Sequence, residues 1–226
     1  MKTVVYGATR NIYKNVIPCV NSVLINGDID EVVLLIEDDE FPYPFPENVR
    51  TINVSEQTFF DRSGVNTKKR WTYMCLMKCT MTKLFPDRDR VLYLDCDTIV
   101  HRPLSQLWDI DMDGYYYGAV KQRTDGRRGE FTKGDYYNSG VLLCNLEMLR
   151  DGTEDKLIRL LNEKEYAYPE QDCINETLKG KIYPLAGRYN TCGCCDSDYV
   201  CWIQHFAAFP NWVDTYEFKK YSSIER

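Results

Sequence analysis

The sequence predicts an α/β domain with a central, mostly parallel sheet, and three observations support this. Short, largely apolar runs recur at residues 3–6, 32–36 and 91–94, as expected of strands covered on both faces of a parallel sheet. Between them lie stretches whose apolar residues fall at helical spacing. The two periodicities alternate along the chain, which is the pattern of strands joined by crossover helices.

The first strand is the run 3–7, ending in Gly7, and the helix after it carries Ile17, Val20, Val23 and Leu24 on one face before stopping at Asn26-Gly27. Val32-Val33-Leu34-Leu35-Ile36 is a second buried strand, closed by the acidic run Glu37-Asp38-Asp39-Glu40. Pro42, Pro44 and Pro46 remove amide donors and mark a surface loop, and 49–54 reads as a further strand. Residues 68–84 lack Gly and Pro and place Trp71, Met74, Cys75, Leu76, Cys79 and Leu84 near one stripe, predicting a single helix that Pro86 terminates. Val91-Leu92-Tyr93-Leu94 follows as a strand. Strands are also expected at 115–120 and 141–146, with helices around 154–162 and 171–178.

A length of 226 residues suits one sizeable domain, taken as 1–213, followed by a short tail at 214–226. Hydrophobic residues at 44% and charged residues at 27% are ordinary for a globular protein. The net charge of −6 argues against a general electrostatic grip on nucleic acid or anionic lipid, so an anionic substrate must be held locally. No apolar run approaches the roughly 20 residues of a membrane span, and the N-terminus does not read as an export signal. The expected setting is therefore cytoplasmic, or peripheral at the membrane, with most of the ten cysteines as free thiols.

Chemistry concentrates at Leu92-Tyr93-Leu94-Asp95-Cys96-Asp97. In extended chain, residues two apart face the same side, so Asp95 and Asp97 are expected to converge at the carboxyl end of a strand, where open α/β sheets gather ligands. Two adjacent carboxylates repel, and a divalent cation removes that cost. By itself, an Asp-x-Asp pair equally ends a strand and starts a turn.

Further segments set the pair in context: Tyr6-Gly7-Ala8-Thr9 with Tyr13, Tyr137-Asn138-Ser139-Gly140-Val141-Leu142-Leu143, Gln171-Asp172 with Asn175, and His205-Phe206 with Trp212 close behind. Together, in this order, they resemble the family 8 glycosyltransferases, the group of glycogenin and the bacterial lipooligosaccharide galactosyltransferases. The resemblance implies a GT-A (Rossmann-like) nucleotide-sugar-binding domain. It further implies a retaining hexosyltransferase that uses a UDP-sugar, of glucose or galactose type, with Mn²⁺ or Mg²⁺, and passes the sugar to a glycan or other acceptor.

Carried over residue by residue, the resemblance makes Asp95, Asp97 and His205 the metal ligands. Ala8, Thr9 and Tyr13 line the base pocket, and Lys78, Asp95, Cys96, Asn138 and Ser139 contact the donor. Gln171 and Glu170 lie at the reacting sugar, and Gly140 lets the backbone pass close by. Four departures stand out. Arg10 occupies the position after Thr9 where relatives often carry an acid, Lys78 replaces an arginine, and Glu170 replaces an aspartate. Ala208, Pro210 and Asn211 precede Trp212 where relatives carry a diphosphate-gripping lysine, leaving Lys219 or Lys220 as substitutes. Two other readings stay open at this point: a catalytically idle relative that binds sugar nucleotide or glycan, and a zinc-stabilised module through Cys192, Cys194, Cys195 and Cys201.

Overall fold

The computed structural model describes residues 1–68, 72–123, 135–195, 198–207 and 209–222. A seven-stranded sheet forms from β1 (Thr3–Gly7), β2 (Glu31–Ile36), β3 (Val49–Asn53), β4 (Arg90–Leu94), β6 (Tyr117–Val120), β7 (Val141–Asn145) and β8 (Ile182–Leu185), in the order β3-β2-β1-β4-β7-β6-β8. All neighbours pair in parallel except β7, which runs antiparallel to both β4 and β6. A separate antiparallel pair joins β5 (Thr98–Val100) to β9 (Ile203–His205).

The apolar runs work because each strand is buried on both faces. On one face Val4, Tyr6, Leu34, Ile36 and Leu92 pack against Val16, Cys19, Val20 and Val23 of α1 (Tyr13–Asn26). On the other, Val5, Val33, Leu35 and Tyr93 share a cluster with Leu146 and Leu149 of α4 (Leu146–Leu149), Leu157 and Leu161 of α5 (Thr153–Glu163) and Ile174 of α6 (Pro169–Thr177). Each such side chain contributes roughly 1.5–3 kcal/mol by leaving water. Within the region expected as a tail, α7 (Tyr216–Ser222) buries Phe218 and Tyr221 on the α1 side, and Asn21 Nδ2 donates to the Tyr221 carbonyl at 3.0 Å.

The single helix expected over 68–84 is instead broken. It consists of α2 (Tyr73–Leu76), a 3-10 turn (Met77–Cys79) and α3 (Met81–Leu84), while Trp71 lies outside the described residues. The break falls at Thr80, whose hydroxyl donates to the Met77 carbonyl at 2.8 Å, a local bond that competes with helix. Buried Glu154 completes the break from α5 by accepting the Thr82 N–H at 2.8 Å and the Lys83 N–H at 3.3 Å, capping α3 from another element.

Candidate active site

The site forms at the carboxyl end of β4. The strand stops at Leu94, and Cys96 and Asp97 lie in a turn leading into β5. The expectation that Asp95 and Asp97 share a side of extended chain is therefore corrected: the turn brings them together. The β5–β9 pair supplies the third group, since its register sets Thr98 opposite His205, and the Phe206 N–H donates to the Asp97 carbonyl at 2.9 Å. One ligand atom from each of Asp95, Asp97 and His205 lies within 4.8 Å of the others.

The hydrogen-bond network fixes which imidazole nitrogen faces the carboxylates. The Gly140 N–H donates to Asn138 Oδ1 at 2.9 Å, so that atom is an acceptor, and Asn190 Nδ2 also donates to it at 2.8 Å. Asn190 Oδ1 is thereby left facing His205 Nδ1 at 2.8 Å, which makes Nδ1 the donor. His205 Nε2 then points at Asp97 Oδ1 (3.2 Å) and Asp95 Oδ2 (4.0 Å). This is the orientation a metal-ligating histidine needs, with its second nitrogen held by an outer partner. Two carboxylates and one imidazole form a donor set that suits a divalent cation such as Mn²⁺. In the metal-free chain, burial alone lowers the basicity of His205, yet neighbouring Asp97 outweighs it and carries the imidazole up to about 9. Burial in turn raises the Asp97 carboxyl, and the facing imidazolium more than reverses this, leaving it below its usual range.

Glycine at 140 is a steric requirement. A Cβ built there would lie 2.1 Å from His205 Cε1, and the Gly140 carbonyl accepts the Asp95 N–H at 2.8 Å.

Lys78, which the resemblance puts at the donor in place of an arginine, is 1% exposed. Its ammonium donates to Asp95 Oδ1 (2.8 Å), the Ser139 carbonyl (3.1 Å) and Glu170 Oε1 (3.2 Å). Burial works against its charge, and the Asp95 and Glu170 carboxylates prevail, holding it well above the ordinary lysine range. Lys78 is thus a cation built into the site. The tail lysines pair elsewhere: Lys219 with Asp214 (3.4 Å) and Lys220 with the Tyr221 hydroxyl (3.5 Å). Ala208 lies outside the described residues.

Glu170 and Gln171 sit at the start of α6. The second carboxylate oxygen of Glu170, Oε2, is buried without a hydrogen-bond partner among the described residues. Gln171 has its amide fully engaged: Oε1 accepts from the Ser139 N–H (3.0 Å) and Asn138 Nδ2 (3.1 Å), while Nε2 donates to Gln122 Oε1 (3.1 Å) and the Tyr136 hydroxyl (3.0 Å).

Towards β1 and β2, Ala8 is fully buried, and Thr9 Oγ1 donates to Asn11 Oδ1 at 2.6 Å. The Tyr13 ring packs on Phe41 with centroids 5.0 Å apart, and its hydroxyl donates to Asp38 Oδ2 at 2.9 Å. Arg10 is drawn onto the acidic run after β2: its Nε lies 2.9 Å from Asp38 Oδ1 and its Nη2 donates to the Glu37 carbonyl at 2.8 Å. Glu37 and Asp38 therefore supply acids at this edge although Arg10 stands after Thr9. The Cys96 thiol donates to the Gly7 carbonyl at 3.0 Å, so its side chain faces β1. A cavity of about 840 Å³ opens beside Arg10, between residues 55–62 and Asn162. Among the described residues, no helix is long and apolar enough to cross a membrane.

Sequence reasoning missed Asn190, fully buried in a 3-10 turn (Gly187–Asn190), and gave Glu37 and Asp38 no role beyond closing a strand. The acidic run was a readable signal; a lone asparagine in Arg188-Tyr189-Asn190 was not.

This arrangement, a mixed sheet with carboxylates at the end of a central strand and a histidine brought in from a late pair, is that of a GT-A fold. The galactosyltransferase LgtC, solved in complex with donor and acceptor sugar analogs, superposes with a TM-score of 0.75 over 97% of this chain and 95% of its own, at 18% identity. GlyE from Streptococcus pneumoniae TIGR4 gives a TM-score of 0.70 over 99% of this chain and 60% of its own, also at 18% identity. Residues 3–206 match the model of glycosyl transferase family 8, and the chain belongs to that family. Over 207 residues it is 26% identical to the lipopolysaccharide 1,2-glucosyltransferase of Escherichia coli K12, covering 83% of this chain and 61% of that protein. Over 110 residues it is 31% identical to general stress protein A of Bacillus subtilis strain 168, covering 45% of this chain and 38% of that protein. These matches span less than two thirds of the length of the curated relatives.

Proposed function

We propose that the protein transfers a hexose from a UDP-sugar of glucose or galactose type to a glycan or other acceptor, with retention at the anomeric carbon. Asp95, Asp97 and His205 would hold Mn²⁺ or Mg²⁺. The convergence of those three groups at the carboxyl end of β4, beside buried Glu170, whose Oε2 has no hydrogen-bond partner among the described residues, carries the reading. The glucosyltransferase activity named for the Escherichia coli relative and the galactosyltransferase activity named for LgtC support the hexose.

A bound divalent cation would supply Lewis-acid stabilisation of charge on the departing diphosphate. The protein's own residues divide the remaining work. Glu170 Oε2 accepts a hydrogen bond from a sugar hydroxyl, which a buried carboxylate oxygen with no partner among the described residues favours strongly. Lys78 balances the carboxylates of Asp95 and Glu170 and keeps both fixed while the donor enters. Gln171 is neutral and bonded at both ends of its amide, so it acts as a rigid wall for the sugar and not as a nucleophile. Ala8, Thr9 and Tyr13 would border the base, with the Asp38-held Tyr13 hydroxyl setting that edge. Asn138 and Ser139 would meet the sugar and diphosphate, and Cys96 would contribute backbone only.

The test is donor hydrolysis across a panel of nucleotide sugars, with Mn²⁺ and after chelation. Turnover of a UDP-hexose that needs the cation, and that Asp97→Asn abolishes, is the expected result. Binding without turnover of any donor would favour a sugar-nucleotide-binding relative, in which the fully engaged Gln171 amide is structural.

A further inference from the structure

Beside this site lies a second cluster of ligating atoms with opposite chemistry. Cys192, Cys194 and Cys195 bring three thiol sulfurs within 4.8 Å of one another, with Cys192 and Cys194 sulfurs 3.0 Å apart. Cys201, expected with them from the sequence, is not in the cluster. Three thiols within four consecutive residues need little chain closure to meet one ion.

The loop is also held from both sides. The Thr191 N–H donates to the Ile203 carbonyl at 2.8 Å, and Cys195 forms a backbone bridge with Gln122. The Arg123 N–H donates to the Cys194 carbonyl at 2.8 Å, and the Arg123 guanidinium to the Gly193 carbonyl at 2.6 Å. Cys195 is fully buried, while Cys192 and Cys194 are half-buried, so an ion has both an anchored base and a way in.

We propose that Cys192, Cys194 and Cys195 form a trithiolate site for a thiophilic closed-shell cation of the Zn²⁺ class. Tetrahedral zinc with bonds of about 2.3 Å sets sulfurs roughly 3.8 Å apart, so the Cys192–Cys194 pair must open by under an ångström, and the separations to Cys195, at most 4.8 Å, must close by no more than about an ångström. Binding exchanges three S–H bonds for three metal–sulfur bonds and releases three protons to solvent. The fourth position is left to water. Cys194 Sγ lies 4.0 Å from Asn138 Nδ2, so the ion would rigidify the wall of the donor site on the Asn138 side. Hard carboxylate ligands and soft thiolates thus sort two cations into neighbouring places. The proposal does not depend on the transferase reading.

The experiment uses the full-length reduced protein carrying Asp95→Asn and Asp97→Asn, which removes the carboxylate site as a competitor. One equivalent of zinc retained through gel filtration, and a thiolate-to-cobalt charge-transfer band on Co²⁺ substitution, are expected. Adding Cys192→Ser and Cys194→Ser, both half-buried positions, should eliminate the band and the retained equivalent. Absence of the band in the parent Asn variant overturns the proposal whatever the serine variants do. Zinc retained undiminished after the serine substitutions overturns it as well.

Discussion

Replacing Gly140 by alanine is a one-carbon perturbation that should reach the metal site without substituting any ligand. The added Cβ would lie 2.1 Å from His205 Cε1, 2.7 Å from Nδ1 and 2.8 Å from Nε2. Gly140 does not have the positive φ seen at Gly114, Gly152 and Gly180, so the effect is steric and carries no backbone strain. The imidazole is rigid, 5% exposed and pinned by Asn190, so it must retreat by more than an ångström. Retreat breaks the Nδ1 bond to buried Asn190 and carries Nε2 away from Asp97. Overpacking of this kind costs about 1–3 kcal/mol, or roughly 2–12 °C in Tm for a domain of this size at about 2–4 °C per kcal/mol. Losing the alignment of one ligand should weaken Mn²⁺ binding by about 10–100-fold, the range seen when a ligand's orienting partner is removed. Calorimetric Mn²⁺ titration, with thermal unfolding in chelator, separates the two effects. A Gly140→Ala protein that keeps wild-type Mn²⁺ affinity would refute the reasoning, because the ring cannot stay where it is.

Three further outcomes follow from the same geometry. Asn190→Ala should lower Mn²⁺ affinity by about 10–100-fold with a smaller change in Tm, since it frees the His205 ring while leaving all three ligands; titration against wild type checks it. Lys78→Met leaves Asp95 and Glu170 facing each other without their cation, and breaking a buried pair on one side costs about 3–5 kcal/mol; denaturant unfolding measures this, and Mn²⁺ should recover part of the loss. The pH dependence in chelator has a fixed sign. His205 is raised from 6.5 to about 9, so its pairing with Asp97 stabilises the fold fully below about 6.5 and is lost as pH rises through 9. Mn²⁺ competes with that proton, so its affinity should increase with pH up to about 9, as parallel titrations would register.

The parts legible in the sequence are those encoded locally. β1, β2 and β4 announce themselves because a strand buried on both faces lacks the alternation of polar and apolar positions, as in Val32-Val33-Leu34-Leu35-Ile36. The site segments were recognisable because Asp95, Asp97, Asn138, Gln171 and His205 occur in a family's order. What was hidden depends on partners distant in the chain. The burial of Lys78 has no local signal because its partners Asp95 and Glu170 lie 17 and 92 positions away. The helix break at Thr80 depends on Glu154, 72 positions on from Thr82. β5 and β9 have only three residues each, too few for a period to show, yet their pairing delivers His205. Asn190 had no pattern around it and acquires a role only once Asn138 and His205 flank it.

The central claim is that this chain binds a nucleotide sugar through a cation held by Asp95, Asp97 and His205. Thermal shift measured with a nucleotide-sugar panel, with and without Mn²⁺, on wild type and Asp97→Asn, tests it most directly. A ligand at 100 times its Kd stabilises by about 2.7 kcal/mol, or roughly 5–11 °C for a domain of this size at about 2–4 °C per kcal/mol. The predicted result is a shift of that order for a UDP-hexose only when Mn²⁺ is present, and none in Asp97→Asn. An equal shift without the metal, or an undiminished one in the variant, would contradict it.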